Sequence, residues 1–343
     1  MKFMTKIMAV ALLMTAFSHP VRAAIAADVT TIDVRFSVVN KNDSHAACEA
    51  DGGNYEVRGW LALPRRTQAE GVTIYLHGAG DARTWHLTTV PRHDHISEMA
   101  RMGHASLFID QLGYGDSTVP DGTAICLGSL ADIAAQIASH LRTGSYAASA
   151  ARAPRFRRVG LAGHSMGGHI TEVAAFSFPD AFDAAIIAGW GIVVRSEIVP
   201  VLVGVAKLAS NCTLAPADKN GAPGYAYGLD PDEIGDALFY NAEARVVAAA
   251  ARGWEPDPCG VHRSQGPAVF TSVTEAARAT VPILVVYGDH DLFGAPDVYA
   301  SRFTGSTDVS WLVVADSGHM MMLERPAPAF RAALHDWLRA RGL

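Results

Sequence analysis

Long apolar runs, blocks of basic residues and cysteines at metal-binding spacing are all missing from this chain of 343 residues. No stretch reaches the roughly 20 consecutive apolar residues that a bilayer-spanning helix needs, so a permanent membrane anchor is the weaker reading and none is expected. Lys and Arg number 28 against 34 Asp and Glu, for a net charge of -6, and the cations are scattered. A face built to hold nucleic acid or an anionic membrane is therefore not expected. Only four cysteines occur, Cys48, Cys126, Cys212 and Cys259, with no Cys-x-x-Cys pair among them. That spacing argues against a zinc site and for two disulfides, for which three pairings exist. No internal repeat is visible, and no low-complexity tract beyond alanine-rich helical stretches. With half of the residues hydrophobic, the chain can bury a large core.

What is present begins with a short export-like segment. Lys2 and Lys6 precede a largely apolar run of eleven residues, 7–17, and small residues follow up to Ala27. This reads as a secretory signal peptide over 1–27, with Val21-Arg22-Ala23 and Ala24-Ile25-Ala26 as the two cleavage candidates. An exported chain meets oxidising conditions, in keeping with disulfides.

Residues 29–39 and 55–63 alternate apolar and polar positions, which predicts half-buried antiparallel strands. Residues 72–76, 105–109, 159–162, 184–188, 283–287 and 309–314 are instead near-continuous apolar runs, the pattern of strands buried on both faces of a parallel sheet. Helical periodicity falls between them at 88–102, 128–142, 166–178, 296–303 and 326–339. Strand and helix in alternation predict an α/β fold with a doubly wound, mostly parallel sheet. The rhythm breaks once, over 191–280, a stretch rich in proline with short helical patches such as 232–251. A structureless loop of that size is improbable in a compact domain, so an inserted, mainly helical lid is expected there, with 28–190 and 281–343 as the core. Pairing Cys212 with Cys259 would close that insertion, worth roughly 4 kcal/mol in the chain-entropy account. Cys48 with Cys126 is then the other bridge.

The chemistry-bearing motif is Gly163-His164-Ser165-Met166-Gly167, set between an apolar strand and a helix. A serine hydroxyl is a weak nucleophile at its own pKa and needs an exposed position beside a base. Flanking glycines permit the sharp turn that gives it both. An imidazole candidate, His319, lies in Ser317-Gly318-His319-Met320 just past the last apolar run, and Tyr287-Gly288-Asp289-His290-Asp291 offers two carboxylates after the run before it. Nucleophile, acid and base follow in the chain order Ser, Asp, His.

These residues, in that order and at those strand ends, resemble the α/β-hydrolase superfamily over nearly all of the chain outside the lid and the N-terminal strands. The resemblance implies a triad of Ser165, Asp291 and His319, since the family's acid ends a Gly-x-x-Asp turn matched by Gly288 and Asp291; Asp289 is the alternative acid. His77-Gly78-Ala79-Gly80 resembles the family's oxyanion loop, which implies the backbone N–H groups of Ala79 and Met166 as oxyanion donors and a bracing role for His77. Asp110-Gln111-Leu112-Gly113-Tyr114-Gly115-Asp116-Ser117 resembles another family segment, in which the aspartate orders a loop.

Trp85, Trp190 and Met320 are candidate pocket residues by their positions near these loops. His93-Asp94-His95 alternates like a chelate but lacks further ligands at useful spacing, so a solvated loop is expected and no metal. The resulting expectation is an exported serine hydrolase that cleaves a small-molecule carboxylic ester through an acyl-enzyme, without a cofactor. Alternatives on the same triad are a cofactor-free haloperoxidase or perhydrolase, a carbon-carbon bond hydrolase and a peptidase. A non-catalytic binding protein on the same scaffold is the alternative of another class. The sequence carries no signal of oligomeric state.

Overall fold

The structure is a computed structural model that describes residues 29–65, 69–81, 83–191 and 198–343. The expected signal segment, 1–27, lies outside the described residues. Two long antiparallel strands come first, β1 (Val29–Val39) and β2 (Asn54–Pro64), paired from Val29 opposite Pro64 to Val39 opposite Asn54. Along β1, Ile32, Val34, Phe36 and Val38 are buried and the residues between them exposed, the two-residue period of a strand with one wet face.

The core then alternates: β3 (Gly71–Leu76), α1 (His95–Arg101), β4 (Ala105–Asp110), α2 (Leu127–Thr143), the short β5 (Ala147–Ala148), β6 (Arg158–His164), α3 (Met166–Ser177) and β7 (Ala184–Ala188). After an intervening segment it resumes with β11 (Ile283–Gly288), α8 (Pro296–Ala300), β12 (Val309–Val314) and α9 (Ala327–Arg339). The sheet has nine strands in the order β12-β11-β7-β6-β3-β4-β2-β1-β5. From β12 to β4 every neighbouring pair is parallel, and β2, β1 and β5 continue antiparallel. All residues of β3, β4, β7 and β11 are buried, because helices cover both faces. One core holds α2 and α3 side chains such as Leu130, Ile137 and Ile170; the other holds Ile96 and Met99 of α1 with Phe330 and Leu334 of α9.

Two expectations need correcting. Residues 309–314 do not lie inside the sheet: β12 is its edge, and Trp311 is 57% exposed. The helix expected over 88–102 begins only at His95, because Pro91 and the left-handed Arg92, φ 68°, break it, and Thr88 to Arg92 form turns.

The segment between β7 and β11 contains α4 (Ile198–Leu214), β8 (Pro216–Lys219), β9 (Ala222–Ala226), α5 (Ile234–Leu238), α6 (Ala244–Arg252), β10 (Asp257–Pro258) and α7 (Cys259–Glu275). Helices predominate, but β10, β9 and β8 form a small antiparallel sheet of their own, and the helical patch 232–251 is split in two. Cys212 of α4 is bonded to Cys259 at the start of α7, with Cα atoms 5.7 Å apart. Cys48 is bonded to Cys126, the residue that caps α2, with Cα atoms 6.2 Å apart.

Strand order reverses at β3: the chain moves to β4 on one side, then returns to β6 on the other. In open α/β sheets such a reversal leaves a crevice at the carboxyl ends of the flanking strands, where ligands bind. The loop after β3 starts at His77, and β6 ends at His164.

Candidate active site

Ser165 sits on the turn between β6 and α3 with φ 56° and ψ -119°, a conformation that costs a non-glycine residue about 1–3 kcal/mol. The surroundings hold it there. Its N–H donates to Ala188 O at 2.9 Å, and its carbonyl accepts from His169 N–H at 3.1 Å. The flanking glycines are required by contact: a Cβ on Gly163 would lie 1.9 Å from Gly167 O, and one on Gly167 2.5 Å from His77 O. The serine therefore stands at the head of α3, packed against the loop after β3, with the Cβ position of Gly78 only 3.0 Å from Ser165 Cβ.

His319 follows β12 and turns back over the sheet. Its Nδ1 lies 2.8 Å from Asp291 Oδ1, and both side chains are almost completely buried. A buried carboxylate at that nitrogen fixes the tautomer with Nε2 free to take a proton. Glu324 sets the loop carrying His319: its carboxylate accepts from Gly318 N–H at 2.8 Å and from Tyr240 N–H at 3.0 Å. His164 packs beneath, ring centres 4.5 Å apart, and its Nε2 is 2.9 Å from His319 O. Burial, and next His319, push His164 far below the usual imidazole range, so it is a neutral donor to that carbonyl. Asp289, the other carboxylate of the doublet, faces away. It accepts from Ser317 N–H and Asp316 N–H, each at 2.9 Å, and these bonds hold it below the ordinary carboxylate range.

His77 braces the loop after β3. Burial pushes its imidazole down to about 4, so it is neutral: Nδ1 donates to Gly78 O at 2.8 Å, and Nε2 accepts from Gln111 N–H at 3.3 Å. Asp110 orders its own loop by accepting from Asp116 N–H at 2.7 Å. Burial raises its carboxyl to about 7.

Ser165 and His319 open into one cavity of about 100 Å³, which Ala79 and Met320 also line. The segment between β7 and β11 closes it with Leu208, Leu229, Leu238 and Trp254. Two carboxyl groups reach the cavity as well, Asp81 and Asp257. Burial raises Asp81 to about 7.

A sequence profile described as the alpha/beta hydrolase family matches residues 74–333. The chain belongs to that family. It is similar to the monoacylglycerol lipase of Mycolicibacterium smegmatis, 28% identical over 237 residues that cover 66% of this chain and 71% of the relative. Among solved structures, a thermophilic esterase from Thermogutta terrifontis superposes with a TM-score of 0.60 at 19% identity, covering 90% of this chain and all of that one. A monoacylglycerol lipase from Paleococcus ferrophilus gives 0.54 at 18% identity, over 80% and 96% of the two chains. At those identities the superpositions speak for the fold; the family match makes the chain a hydrolase.

In this hydrolase several residues sit elsewhere than their sequence positions suggested. Trp85 is wholly buried beside Tyr75, His95 and Phe330, with its indole N–H donating to Leu76 O at 2.8 Å; it is a core residue and does not line the cavity. Trp190 is also buried, stacked on His169 and donating to Glu172 at 3.1 Å, likewise away from the cavity. The stretch 93–95 is not a solvated loop at its end, since His95 is fully buried and opens α1. Asp81 and Asp257 carried faint signals in the sequence. Asp81 directly follows the His-Gly-Ala-Gly stretch, and Asp257 stands between Pro256 and Pro258, two residues before Cys259.

Proposed function

We propose that this hydrolase cleaves a carboxylic ester by acyl transfer through Ser165, His319 and Asp291. The observation that carries the reading is the buried His319–Asp291 hydrogen bond above a cavity that Ser165 shares. Ser165 Oγ attacks the ester carbonyl while His319 Nε2 takes its proton, and Asp291 stabilises the imidazolium. The N–H groups of Ala79 and Met166 stabilise the tetrahedral oxyanion. Collapse transfers the proton from His319 to the alkoxide leaving group and leaves the acyl group on Ser165. Water, deprotonated by the same imidazole, then attacks the acyl-enzyme and releases the acid.

An ester is supported over an amide by the monoacylglycerol lipase relative, and a small acyl or alcohol group by the size and apolar lining of the cavity. Residues 191–280 act as the lid, with 28–190 and 281–343 as the catalytic core. Export after loss of 1–27 belongs to the same reading, and two disulfides are compatible with an oxidising compartment. The test is hydrolysis of p-nitrophenyl butyrate by the oxidised protein and by Ser165→Ala. Loss of the nucleophile should reduce kcat about 10⁴-fold or more. An equal rate in the two proteins would remove Ser165 from the mechanism.

A further inference from the structure

The loop from His77 to Asp81 is wedged between the nucleophile and a single stretch of the insertion, 254–257. On one side Gly78 packs against Ser165. On the other, Gly80 is held at both of its peptide groups. Its N–H donates to Asp257 Oδ1 at 2.5 Å, and its carbonyl accepts from Glu255 N–H at 2.8 Å. Asp81 pairs with Trp254 as an antiparallel bridge. Gly80 has φ 68°, and a Cβ there would lie 2.4 Å from the Trp254 ring, so the turn is fixed by conformation and by contact. Asp257 is itself fully buried. Its Oδ1 also accepts from Tyr114 O–H at 2.6 Å, and its Oδ2 lies 3.2 Å from His262 Nε2. Burial alone would raise this carboxyl, but His262, Tyr114 and the Gly80 N–H hold it below the ordinary range, so it meets Gly80 as an anion.

We propose that Asp257 is a positioning residue of the ester hydrolysis, a part of the insertion that locks the oxyanion loop through Gly80 so that the neighbouring Ala79 N–H stays aimed at the reacting carbonyl. This rests on the esterase reading given above. Oxyanion donors are effective when their orientation is fixed before charge develops, since turning them during the reaction costs free energy. A free residue loses backbone entropy on being fixed, and a glycine more than most. A charge-assisted bond at Gly80, one residue from the donor, removes that cost from the catalytic step. The insertion then completes the oxyanion hole instead of only covering it.

The test compares Asp257→Ala with Asp257→Asn in the oxidised, full-length mature protein. Asparagine keeps an oxygen for Gly80 N–H and should stay within about fivefold of the parent. Alanine should lower kcat about 10- to 100-fold, short of the loss for a deleted oxyanion donor, with KM within about threefold. The affinity for an alkyl trifluoromethyl ketone, whose adduct with serine places an alkoxide in the oxyanion hole, should fall by the same factor as kcat/KM. A fall greater than the loss of folded fraction read by thermal unfolding separates this from a substitution that merely loosens the fold. Should the alanine chain not fold, Asp257→Ser takes its place, and slow exchange of the Gly80 amide in the parent reads the lock directly. An unchanged kcat and ketone affinity, an effect confined to KM, or a Gly80 amide that exchanges at the unprotected rate would overturn the proposal. A parent whose Ser165 is not labelled by a fluorophosphonate overturns the esterase reading instead, which separates the two failures.

Discussion

The cavity has two walls of different construction. One is made of strand ends: Ser165 after β6, Ala79 after β3 and His319 after β12. The strands behind Ser165 and Ala79 are buried, hydrogen bonded on both sides and covered by helices, so they hold the residues at their ends against one another. The other wall takes Leu208 from the 17-residue α4, but Leu229, Leu238, Trp254 and Asp257 come from loops and short elements. Among them α5 has five residues and β10 has two. Exposed apolar side chains such as Val203, Leu214 and Phe270 show how much of this region faces outward. Groups that must keep sub-ångström relations are carried by the rigid wall, whereas the wall that gives the cavity its shape is the one that can change without disturbing the sheet. Asp257 is the exception, because it reaches from the second wall to brace the first.

The largest expected effect belongs to the first wall. Asp291→Asn should lower kcat about 10⁴-fold by leaving His319 in the wrong tautomer, as loss of the acid does in triads generally. Asp289→Asn, two residues away, should cost less than about tenfold, because its oxygens serve only the backbone of the His319 loop. Steady-state rates on p-nitrophenyl butyrate decide this, and the reverse ranking would exchange the two carboxylates. In the second wall the expected loss is of stability. Replacing Cys212 and Cys259 by serine frees a loop with a separation of 47 residues, worth up to about 4 kcal/mol in the chain-entropy account. Urea denaturation measures it, and kcat/KM should fall less than about tenfold because Asp257 keeps its own bonds. A loss of activity comparable with that of Asp291→Asn would mean that the two walls are not separable.

How much of this the sequence discloses differs between the walls for a physical reason. Strands buried on both faces leave apolar runs of fixed length, and an elbow serine leaves glycines where backbones touch, so 72–76, 159–162 and the Gly163–Gly167 turn could be placed from residue types alone. Edge position leaves no such mark: Val309 to Val314 are as apolar as an inner strand, yet β12 has a neighbour on one side only. Tryptophan is ambiguous for the same kind of reason. Trp85 and Trp190 lie beside site loops in sequence, but each turns its indole N–H to a buried acceptor and fills a core. Trp254, which does line the cavity, stood in a proline-rich stretch with no periodicity to aim it. Asp257 could not be assigned either, because its role depends on a contact with Gly80 across 177 positions of chain.

The smallest expected effect concerns Asp81, where the two walls meet. Burial raises its carboxyl to about 7, against an ordinary value of 3.8, so the folded chain keeps a proton that the unfolded chain has released. At this carboxyl the native state therefore binds more protons than the unfolded state between about pH 4 and pH 7, so its own contribution to stability falls as pH rises and is lost above about 7, while buried imidazoles such as His77 and His164 act in the opposite sense. Asp110, also raised to about 7 by burial, contributes in the same direction as Asp81, so a single substitution removes only part of this carboxyl contribution. Asp81→Asn cannot ionise. Relative to the parent it should gain about 2–4 °C in melting temperature at pH 8 over whatever change it shows at pH 4.5, where the parent's carboxyl is already largely neutral. The difference between the two pH values is the measurement, since it cancels the cost of placing an amide in the same space. Equal changes at both would mean that Asp81 is ionised throughout. In that case the cavity is wetter at the meeting of its walls than its apolar lining implies.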